Sequence, residues 1–281
     1  METSFIKKSH PYDHWEFKEN CSSNIIRIVP DRGGLITGWR CNNNEILYFD
    51  QERFKTNKSV RGGVPILFPI CGSVPENKLF FFNKVFKMKQ HGFARDIPWD
   101  INYRENNNDI IISLKSNDFT LQIFPFNFSI QLFVNFIKNG ISLKSTIVNE
   151  SNVTMPFSFG IHPYFNVKNI NNINLSGLSK ISINQVNSNK VTTKSQLENL
   201  PAGVDFISES NGKVVMDDNN MKLILNSKLP YRYNVIWTDP PRKMVCIEPW
   251  TSPRNSLLSG KDCIELNPES SCDIECSFLS I

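Results

Sequence analysis

The sequence predicts an all-β protein, built as one large antiparallel β-sandwich. Three observations lead to this prediction: long segments alternate apolar and polar residues, clusters of Asn, Asp and Gly separate these segments, and helical periodicity is nearly absent. The length of 281 residues suits an all-β domain of this kind. Since we find no internal repeat, linker or break in composition, we expect a single domain over residues 1–281.

The strongest strand signal lies between Phe124 and Phe136, where every even-numbered position is apolar. Side chains alternate between the two faces of a strand, so thirteen residues of period two predict one long bent strand or two shorter ones. Pro125 would then lie near an edge or at a strand start. The dipeptide Asn139-Gly140 favours a two-residue hairpin turn, which makes Ile141–Val148 the returning strand.

Other apolar or alternating runs are shorter and are separated by turn-forming residues. They predict six further strands: Ile25–Val29, Ile110–Leu114, Leu223–Leu225, Tyr231–Trp237, Lys243–Ile247 and Cys272–Leu279. Only the stretch near Ser195–Leu200 favours a turn of helix. The predicted elements therefore form antiparallel sheets with almost no helix.

Composition and charge exclude several classes of function. Lys and Arg exceed Asp and Glu by 31 to 27, which gives a net charge of +4, and the longest basic run is Lys7-Lys8. Proteins that bind nucleic acid concentrate basic residues in a stripe or patch. We therefore expect neither nucleic acid nor a membrane surface as a partner. Hydrophobic residues make up 40% of the chain, which is enough for a sizeable core.

The cysteines indicate a reducing compartment. All seven are scattered along the chain and no pair has the CxxC spacing, so neither a zinc site nor a redox motif is predicted. The first residues lack the basic and apolar regions of a signal peptide, and the sequence has no run of about 18 apolar residues that could span a membrane. We therefore expect a cytoplasmic protein with reduced thiols.

Four short segments place polar side chains among apolar or conformationally special neighbours. The first, RGGVPILFPICG, combines adjacent glycines with two prolines and suits the rigid floor of a pocket with Arg61 at its mouth. The second, QHGFARDIPW, contains His91 and Arg95, and arginine supplies forked donors for phosphate or carboxylate. The alternatives are a surface arginine before a turn in the first segment, and a loop histidine with a surface Arg95–Asp96 pair in the second.

The other two segments contain candidate acid–base groups. In FGIHPYF, apolar neighbours disfavour the charged form of His162, whereas a nearby carboxylate would favour it. In CIEPWTSPRNSL, partial burial of Glu248 would raise its pKa toward the range of a general base. The alternatives are a buried structural histidine and an ordinary ion pair between Glu248 and Arg254.

In their order and spacing, these four segments resemble the signatures of the aldose 1-epimerase (galactose mutarotase) family, and most closely those of the branch that contains the hexose-6-phosphate mutarotases. Gly33-Gly34-Leu35 followed by Glu45–Tyr48 is similar to the opening hairpin of that family. The resemblance extends from about residue 20 to 280. It implies a twisted antiparallel β-sandwich, the galactose mutarotase-like supersandwich, with an open sugar cleft on one face.

The resemblance also implies roles for individual residues. His162 resembles the general acid that protonates the ring oxygen of a pyranose. Glu248 resembles the general base that removes the proton from the anomeric hydroxyl. His91 resembles the histidine that holds the ring or a neighbouring hydroxyl, and Asp205, in the short Gly-x-Asp stretch, resembles the aspartate that binds the substrate.

Arg61 and Arg95 resemble the arginine pair that is associated with a 6-phosphate in this branch. The implied activity is that of an isomerase that interconverts the α and β anomers of a hexose or hexose 6-phosphate. Such a reaction needs one proton donor and one acceptor, and no metal or organic cofactor is expected. A carboxylate close to His162 is expected to keep that histidine protonated at neutral pH while Glu248 stays ionised.

Two other functions remain open from the sequence. A glycoside hydrolase on a similar sandwich would pair Glu248 with a second carboxylate about 5–9.5 Å away, either Asp239 or Glu265. A non-catalytic sugar-binding module would keep the cleft without turnover. The presence of both His162 and Glu248 favours the isomerase.

Overall fold

Antiparallel strands dominate the fold. We describe residues 3–20, 22–56 and 58–281 of a computed structural model. Their strands are, in chain order, β1 (Thr3–Lys8), β2 (His14–Glu19), β3 (Ile25–Val29), β4 (Leu35–Cys41), β5 (Asn44–Glu45), β6 (Ile66–Leu67), β7 (Lys78–Phe81), β8 (Lys84–Lys87), β9 (Asp100–Arg104), β10 (Asp109–Lys115), β11 (Phe128–Ile137), β12 (Gly140–Asn149), β13 (Met155–Phe157), β14 (Gly160–Ile161), β15 (Tyr164–Asn166), β16 (Asn174–Leu178), β17 (Ile181–Asn184), β18 (Lys190–Thr192), β19 (Asp205–Asp217), β20 (Lys222–Ser227), β21 (Tyr233–Trp237), β22 (Met244–Trp250), β23 (Ile264–Leu266) and β24 (Ser271–Ser280).

Helices are short and lie between the strands. The α-helices of the described residues are α1 (Gln51–Phe54), α2 (Asp118–Leu121), α3 (Thr193–Glu198) and α4 (Ser256–Ser259), and single 3₁₀ turns lie at Pro30–Arg32, Pro75–Asn77, Ala94–Asp96, Ile170–Asn172 and Leu200–Ala202. The longest of these α-helices, α3, has six residues, and none of them has the length and apolar character needed to cross a membrane. The predicted helical turn corresponds to α3, whereas the other three α-helices are single turns that the sequence pattern did not indicate.

One sheet of fifteen strands carries most of the structure. Its main path runs β6-β14-β22-β21-β19-β20-β24-β12-β11-β10-β9, and β15 to β18 pair at its sides. The first five strands form a separate sheet in the order β1-β2-β3-β4-β5, and β7-β8 and β13-β23 form two-stranded sheets. The ladders between these strands are antiparallel. The prediction of an all-β antiparallel fold is confirmed.

The alternating segment that begins at Phe124 supplies the centre of the core. The even-numbered residues from Phe128 to Val134 are buried on one face of β11. Phe124 and Phe126 are also buried, but they precede the strand and follow α2, so only part of the predicted run is strand. The ring of Phe68 packs against Phe124 and Phe128 at centroid distances of 5.8 and 4.9 Å. Residues of the first candidate segment are therefore anchored in this aromatic core.

The predicted hairpin forms, with its turn one residue earlier than expected. Ile137 pairs with Gly140 across β11 and β12, so Lys138 and Asn139 are the two turn residues. Asn139 has φ of 58°, a left-handed conformation that asparagine tolerates better than most residues. Four of the six shorter predicted strands lie within observed strands, whereas the other two begin later than predicted. The predicted Tyr231–Trp237 strand is observed as β21, from Tyr233, and the predicted Lys243–Ile247 strand is observed as β22, which begins at Met244 and continues to Trp250.

The sheet order brings the four candidate segments together. The first segment contributes β6, the third contributes β14 and β15, and the fourth contributes β22, and β6, β14 and β22 are neighbours in the sheet. The second segment joins them through the carbonyl of Phe68, which accepts hydrogen bonds from the N–H groups of Phe93 and Ala94 at 3.0 and 3.2 Å. Segments separated by up to about 190 positions in the sequence thus meet on one face.

The cysteines in the described residues are free thiols. Four of them, Cys41, Cys71, Cys246 and Cys276, are buried, and Cys263 and Cys272 are partly exposed. The seventh, Cys21, lies outside the described residues. The buried thiols pack as small apolar groups, as the sequence predicted for these positions.

Candidate active site

The four segments line one cleft with a volume of about 250 Å³. All six residues that the sequence singled out contribute to its wall: Arg61, His91, Arg95, His162, Asp205 and Glu248. The structure therefore brings together every predicted site residue. The cleft is also lined by polar side chains that were not predicted as binding residues, namely Ser59, Gln90, Gln185 and Arg254.

Strand register places His162 opposite Glu248. Gly160 pairs with Trp250, and Tyr164 pairs with Cys246, in two antiparallel ladders against β22. His162 and Glu248 lie midway between these two pairs, each two residues away from either pair along its own segment. The loop that carries His162 is fixed at the same point, because its N–H donates to the carbonyl of Pro65 at 2.9 Å.

The two side chains are in contact at the floor of the cleft. The Nε2 atom of His162 lies 3.3 Å from Oε1 of Glu248. The other carboxyl oxygen, Oε2, accepts a hydrogen bond from the indole Nε1 of Trp250 at 3.2 Å. Glu248 is 1% exposed and His162 is 9% exposed. The carboxyl group is thus held in one orientation, with one oxygen directed at the imidazole.

Burial decides the protonation of this pair. Burial, assisted by the positive charge of Arg95, lowers the pKa of His162 to about 3. Burial, assisted by the negative charge of Asp205, raises the pKa of Glu248 well above its usual range. Both shifts favour a neutral imidazole beside a protonated carboxyl. The expectation that a nearby carboxylate keeps His162 protonated at neutral pH is wrong, because burial and the positive charge of Arg95 disfavour the charged imidazole.

His91 is fixed in one tautomer by the backbone. The N–H of Gly72 donates to Nδ1 of His91 at 3.1 Å, and the N–H of His91 donates to the carbonyl of Gly72 at 2.7 Å. Since Nδ1 accepts, the ring proton must be on Nε2, the remaining ring nitrogen. Burial lowers the pKa of His91 well below its usual range, so the ring is neutral. Its available group is an N–H donor that suits a sugar oxygen.

The conformation at His91 requires glycine as its neighbour. His91 has φ of 66° and Gly92 has φ of 73°, both in the left-handed region. A Cβ atom at Gly92 would lie 2.1 Å from the carbonyl oxygen of Phe68, which is too close for any side chain. The HG dipeptide is therefore needed to bring His91 against the first segment.

Two arginines supply positive charge at the cleft. The guanidinium of Arg61 lies over the ring of Trp237 at 5.4 Å, and its Nε is 3.7 Å from Oδ2 of Asp239. Arg95 donates from Nη2 to the carbonyl of Gln90 at 3.1 Å. Within the described part of the chain, no carboxylate lies within 4.0 Å of the Arg95 guanidinium, so the alternative of a surface pair with Asp96 is not observed. Arg95 therefore contributes positive charge to the lining of the cleft.

Asp205 lines the cleft at the start of β19. Its Oδ1 accepts a hydrogen bond from Nε2 of Gln185 at 2.9 Å. Arg254 donates to Gln185 and lies 4.0 Å from Oδ2 of Asp205. The alternative of a Glu248–Arg254 ion pair is therefore wrong, since Arg254 is held on the Asp205 side. Sequence spacing gave no signal for Gln185, which lies in an Asn-rich stretch.

Aromatic side chains enclose the acid–base pair. Tyr164, Trp237 and Trp250 all line the cleft. The ring of Tyr164 stacks on His162 at 4.6 Å with an interplanar angle of 8°, and Trp237 meets His162 edge-on at 5.9 Å. Tyr164 and Trp250 are nearly fully buried, so they form the apolar wall that desolvates His162 and Glu248.

One set of side chains has donor atoms close enough to hold a metal ion. Donor atoms of His162, Cys246 and Glu248 lie within 4.8 Å of one another. Burial raises the pKa of the Cys246 thiol well above its usual range, and metal ions bind the thiolate form. The arrangement thus favours proton transfer between His162 and Glu248 over metal coordination.

Comparison with known proteins gives the family. The sequence profile of the family described as aldose 1-epimerase matches residues 23–279. The chain therefore belongs to the aldose 1-epimerase family, and the resemblance of its four segments is confirmed.

Individual relatives agree with this assignment. The crystal structure of the Slr1438 protein from Synechocystis sp. PCC 6803 is 33% identical, with a TM-score of 0.91, over 99% of this chain and 98% of that one. A structure described as a galactose mutarotase related enzyme from Lactobacillus acidophilus is 22% identical, with a TM-score of 0.78, over 95% of this chain and 97% of that one. The latter likeness shows the fold alone, and the predicted galactose mutarotase-like sandwich is confirmed.

A curated relative carries a name that refers to a reaction. A protein from Cenchrus ciliaris, provisionally named glucose-6-phosphate 1-epimerase, is 29% identical over 224 residues, which is 73% of this chain. A Salmonella typhimurium protein with the same provisional name is 28% identical over 164 residues, or 57% of this chain. The chain spans only 58% and 51% of the lengths of these two relatives.

The protonation states of the two cleft histidines can be measured. Because burial lowers the pKa of both His91 and His162, we expect their ring nitrogen chemical shifts to stay those of neutral imidazole between about pH 5 and 8. In urea-unfolded protein, the same rings should titrate near pH 6.5. Nitrogen-15 NMR of histidine-labelled protein provides the measurement, and His91 should also show the tautomer with the proton on Nε2.

The lowered pKa values of the two histidines and the raised pKa of Glu248 also determine how stability depends on pH. Between about pH 4.5 and 6.5, the unfolded chain protonates both histidines and ionises the glutamate, whereas the folded site keeps only the proton of Glu248. The unfolded state then binds one more proton, so these groups make the free energy of unfolding rise with pH in this range. An imidazolium spectrum for His162 in the folded, empty protein at pH 7 would contradict the account.

Proposed function

We propose that this protein is a mutarotase that interconverts the α and β anomers of a hexose 6-phosphate. The observation that carries the proposal is the buried contact of 3.3 Å between Nε2 of His162 and Oε1 of Glu248, beside a cleft that also presents Arg61 and Arg95. Membership of the aldose 1-epimerase family supports the reaction class. The provisional names of the curated relatives support the phosphorylated substrate.

The geometry suits the two proton transfers of ring opening. The anomeric hydroxyl and the ring oxygen of a pyranose are bonded to the same carbon, so one adjacent pair of side chains can contact both. Glu248, as carboxylate, removes the hydroxyl proton while His162, as imidazolium, donates a proton to the ring oxygen, and the C1–O5 bond breaks to give an aldehyde. After rotation about C1–C2, closure on the other face reverses both transfers. A general acid or general base held in such a position increases the reaction rate by a factor on the order of 10²–10⁴.

The site needs only one mobile proton for this cycle. Burial favours the proton on Glu248, and transfer across the 3.3 Å contact places it on His162. Ring opening then returns His162 to the neutral form and Glu248 to the protonated form, which is the state that burial favours. The environment therefore stabilises the protonation state that accompanies the open-chain intermediate.

The arginines support a phosphorylated substrate. Arg95 has no carboxylate partner within 4.0 Å among the described residues, and forked guanidinium donors bind phosphate oxygens well. The positive charges of Arg95 and Arg61 also lower the pKa of His162. A bound phosphate dianion would offset these charges and so favour the imidazolium form that ring opening requires. Substrate binding and activation of the acid are thereby coupled.

The rival functions have less support. Asp239, one expected partner for a hydrolytic pair, binds Nη1 of Arg242 at 2.7 Å. Glu265, the other, lies in β23 and pairs with Pro156 outside the cleft. The neighbour of Glu248 is instead a histidine, which favours proton shuttling over the two-carboxylate chemistry of glycoside hydrolysis. A binding module without turnover would have no need for the buried acid–base pair.

Loss of the base should abolish most of the activity. Glu248→Gln keeps the size of the side chain but removes the proton acceptor, so kcat for anomerisation should fall by about 10²–10⁴-fold. Polarimetry of freshly dissolved α-glucose 6-phosphate, α-glucose and α-galactose measures the rate against the buffer blank. Glu209→Gln, an exposed position on β19 outside the cleft, is the matched control and should leave the rate unchanged. A wild-type protein that binds these sugars but equilibrates none of them faster than buffer would overturn the proposal.

Loss of Arg95 should discriminate between substrates. Arg95→Ala removes a charge-assisted contact to phosphate, so KM for the 6-phosphate should rise by about 10- to 100-fold, with little change for the free hexose. Arg104→Ala, at an exposed position of β9, controls for loss of positive charge alone. Equal increases in KM for free and phosphorylated hexose would exclude a phosphate contact for Arg95.

A further inference from the structure

Gln185 and Arg254 form a hydrogen-bonded chain that ends on Asp205. Arg254 donates from Nε to the side-chain oxygen of Gln185 at 2.9 Å and from Nη1 to its backbone carbonyl at 2.8 Å. Gln185 in turn donates from Nε2 to Oδ1 of Asp205 at 2.9 Å, and from its backbone N–H to the carbonyl of Asp205 at 2.8 Å. Gln185 follows β17, Asp205 begins β19 and Arg254 lies in the turn after β22, so four hydrogen bonds join three parts of the fold.

The direction of this chain is fixed by chemistry. A guanidinium has only donors, so the side-chain oxygen of Gln185 must face Arg254. The amide nitrogen of Gln185 must then face Asp205, whose carboxylate has only acceptors. Gln185 is 6% exposed, so water offers it little alternative. A glutamate at this position would place two carboxylates against each other.

This hydrogen-bonded arrangement leaves one carboxylate oxygen of Asp205 open to the cleft. Oδ1 is occupied by Gln185, while Oδ2 lies 4.0 Å from Nη2 of Arg254, beyond hydrogen-bond distance. The Asp205 side chain is 31% exposed and lines the cleft together with His162 and Glu248. Burial raises the pKa of Asp205, and the hydrogen bond from Gln185 and the positive charge of Arg254 oppose this shift. The free lone pairs therefore have a defined direction into the cleft.

Arg254 also contacts the segment that holds His91. A Cβ atom at Gly72 would lie 2.7 Å from Cβ of Arg254, so the arginine stem packs directly on this glycine. Gly72 is the residue that holds His91 through two backbone hydrogen bonds. Arg254 thus contacts both Gly72, which holds His91, and Gln185, which holds Asp205.

We propose that Gln185 and Arg254 are positioning residues, which fix the direction in which Asp205 accepts hydrogen bonds from hydroxyl groups of the hexose ring. The inference rests on the proposed function for the identity of the ligand, a pyranose. Because the pair acts on the ring and not on the phosphate, its loss should weaken binding of free and phosphorylated hexoses alike. It should have a smaller effect on the proton transfers themselves.

A double-mutant cycle between Gln185 and Asp205 tests the proposal. The variants are Gln185→Ala, Asp205→Ala and the double variant, and the ligand is 1,5-anhydroglucitol 6-phosphate, which has no anomeric hydroxyl and binds without reaction. We expect Gln185→Ala to raise Kd by about 10-fold in the wild-type background, and to have no further effect once Asp205 is alanine. If Gln185→Ala raises Kd equally in both backgrounds, or if the wild-type protein does not bind the anhydro sugar phosphate, the proposal is overturned.

Kinetic measurements separate positioning from a loss of fold. Gln185→Ala should raise KM for glucose 6-phosphate more than it lowers kcat, and should move the acid limb of the pH profile of kcat/KM upward as the pKa of Asp205 rises. Arg254→Lys keeps the charge but cannot make both bonds to Gln185, so it should resemble Gln185→Ala. Gln196→Ala in α3, outside the cleft, is the matched control and should change neither parameter. Retention of full activity by both cleft variants would contradict the positioning role.

The proposed function and the positioning role can be overturned separately. A wild-type protein that binds the anhydro sugar but equilibrates no anomer would remove the proposed function and leave the cycle interpretable. An active enzyme whose cycle shows no coupling would remove the positioning role alone.

Discussion

The candidate site depends on one constraint, the antiparallel register that holds His162 against Glu248. The pairs Gly160–Trp250 and Tyr164–Cys246 lie on either side of them, so the register sets the two side chains against each other at the cleft floor. A buried charge without a partner costs several kcal/mol, and a neutral pair that shares one proton reduces that cost. The fold thus keeps an acid–base pair dry and close without requiring either group to be charged at rest.

The rest of the cleft can be understood as an arrangement around this neutral pair. Tyr164 and Trp250 exclude water from it, while His91 and Asp205 line the same cleft with a donor and an acceptor that hydrogen bonds hold in place. Positive charge is kept at the arginines, where a dianion would compensate it. In the proposed reaction, binding energy from the phosphate and the hydroxyl groups positions the sugar, and the pair moves one proton in each direction.

Much of this could be predicted from the sequence, and the failures have physical causes. Period-two alternation identified β11 and β24 because one face of each is buried, but it continued through Phe124 and Phe126, which are buried outside the strand. Family segments identified His162 and Glu248, whereas their protonation was predicted wrongly because the depth of burial is a property of the packed sheet. Gln185 was missed since its role depends on contacts with Asp205 and Arg254, 20 and 69 positions away.

The central claim is that His162 and Glu248 act as one unit in anomer exchange. Two-dimensional NMR exchange spectroscopy of glucose 6-phosphate at equilibrium measures this directly, through cross peaks between the α- and β-anomeric protons. The account predicts that His162→Asn and Glu248→Gln each remove most of the enzyme-dependent exchange, and that the double variant is no slower than the slower single variant. A double variant whose exchange rate falls by the product of the two single-variant factors, or a single variant that keeps the full exchange rate, would contradict this claim.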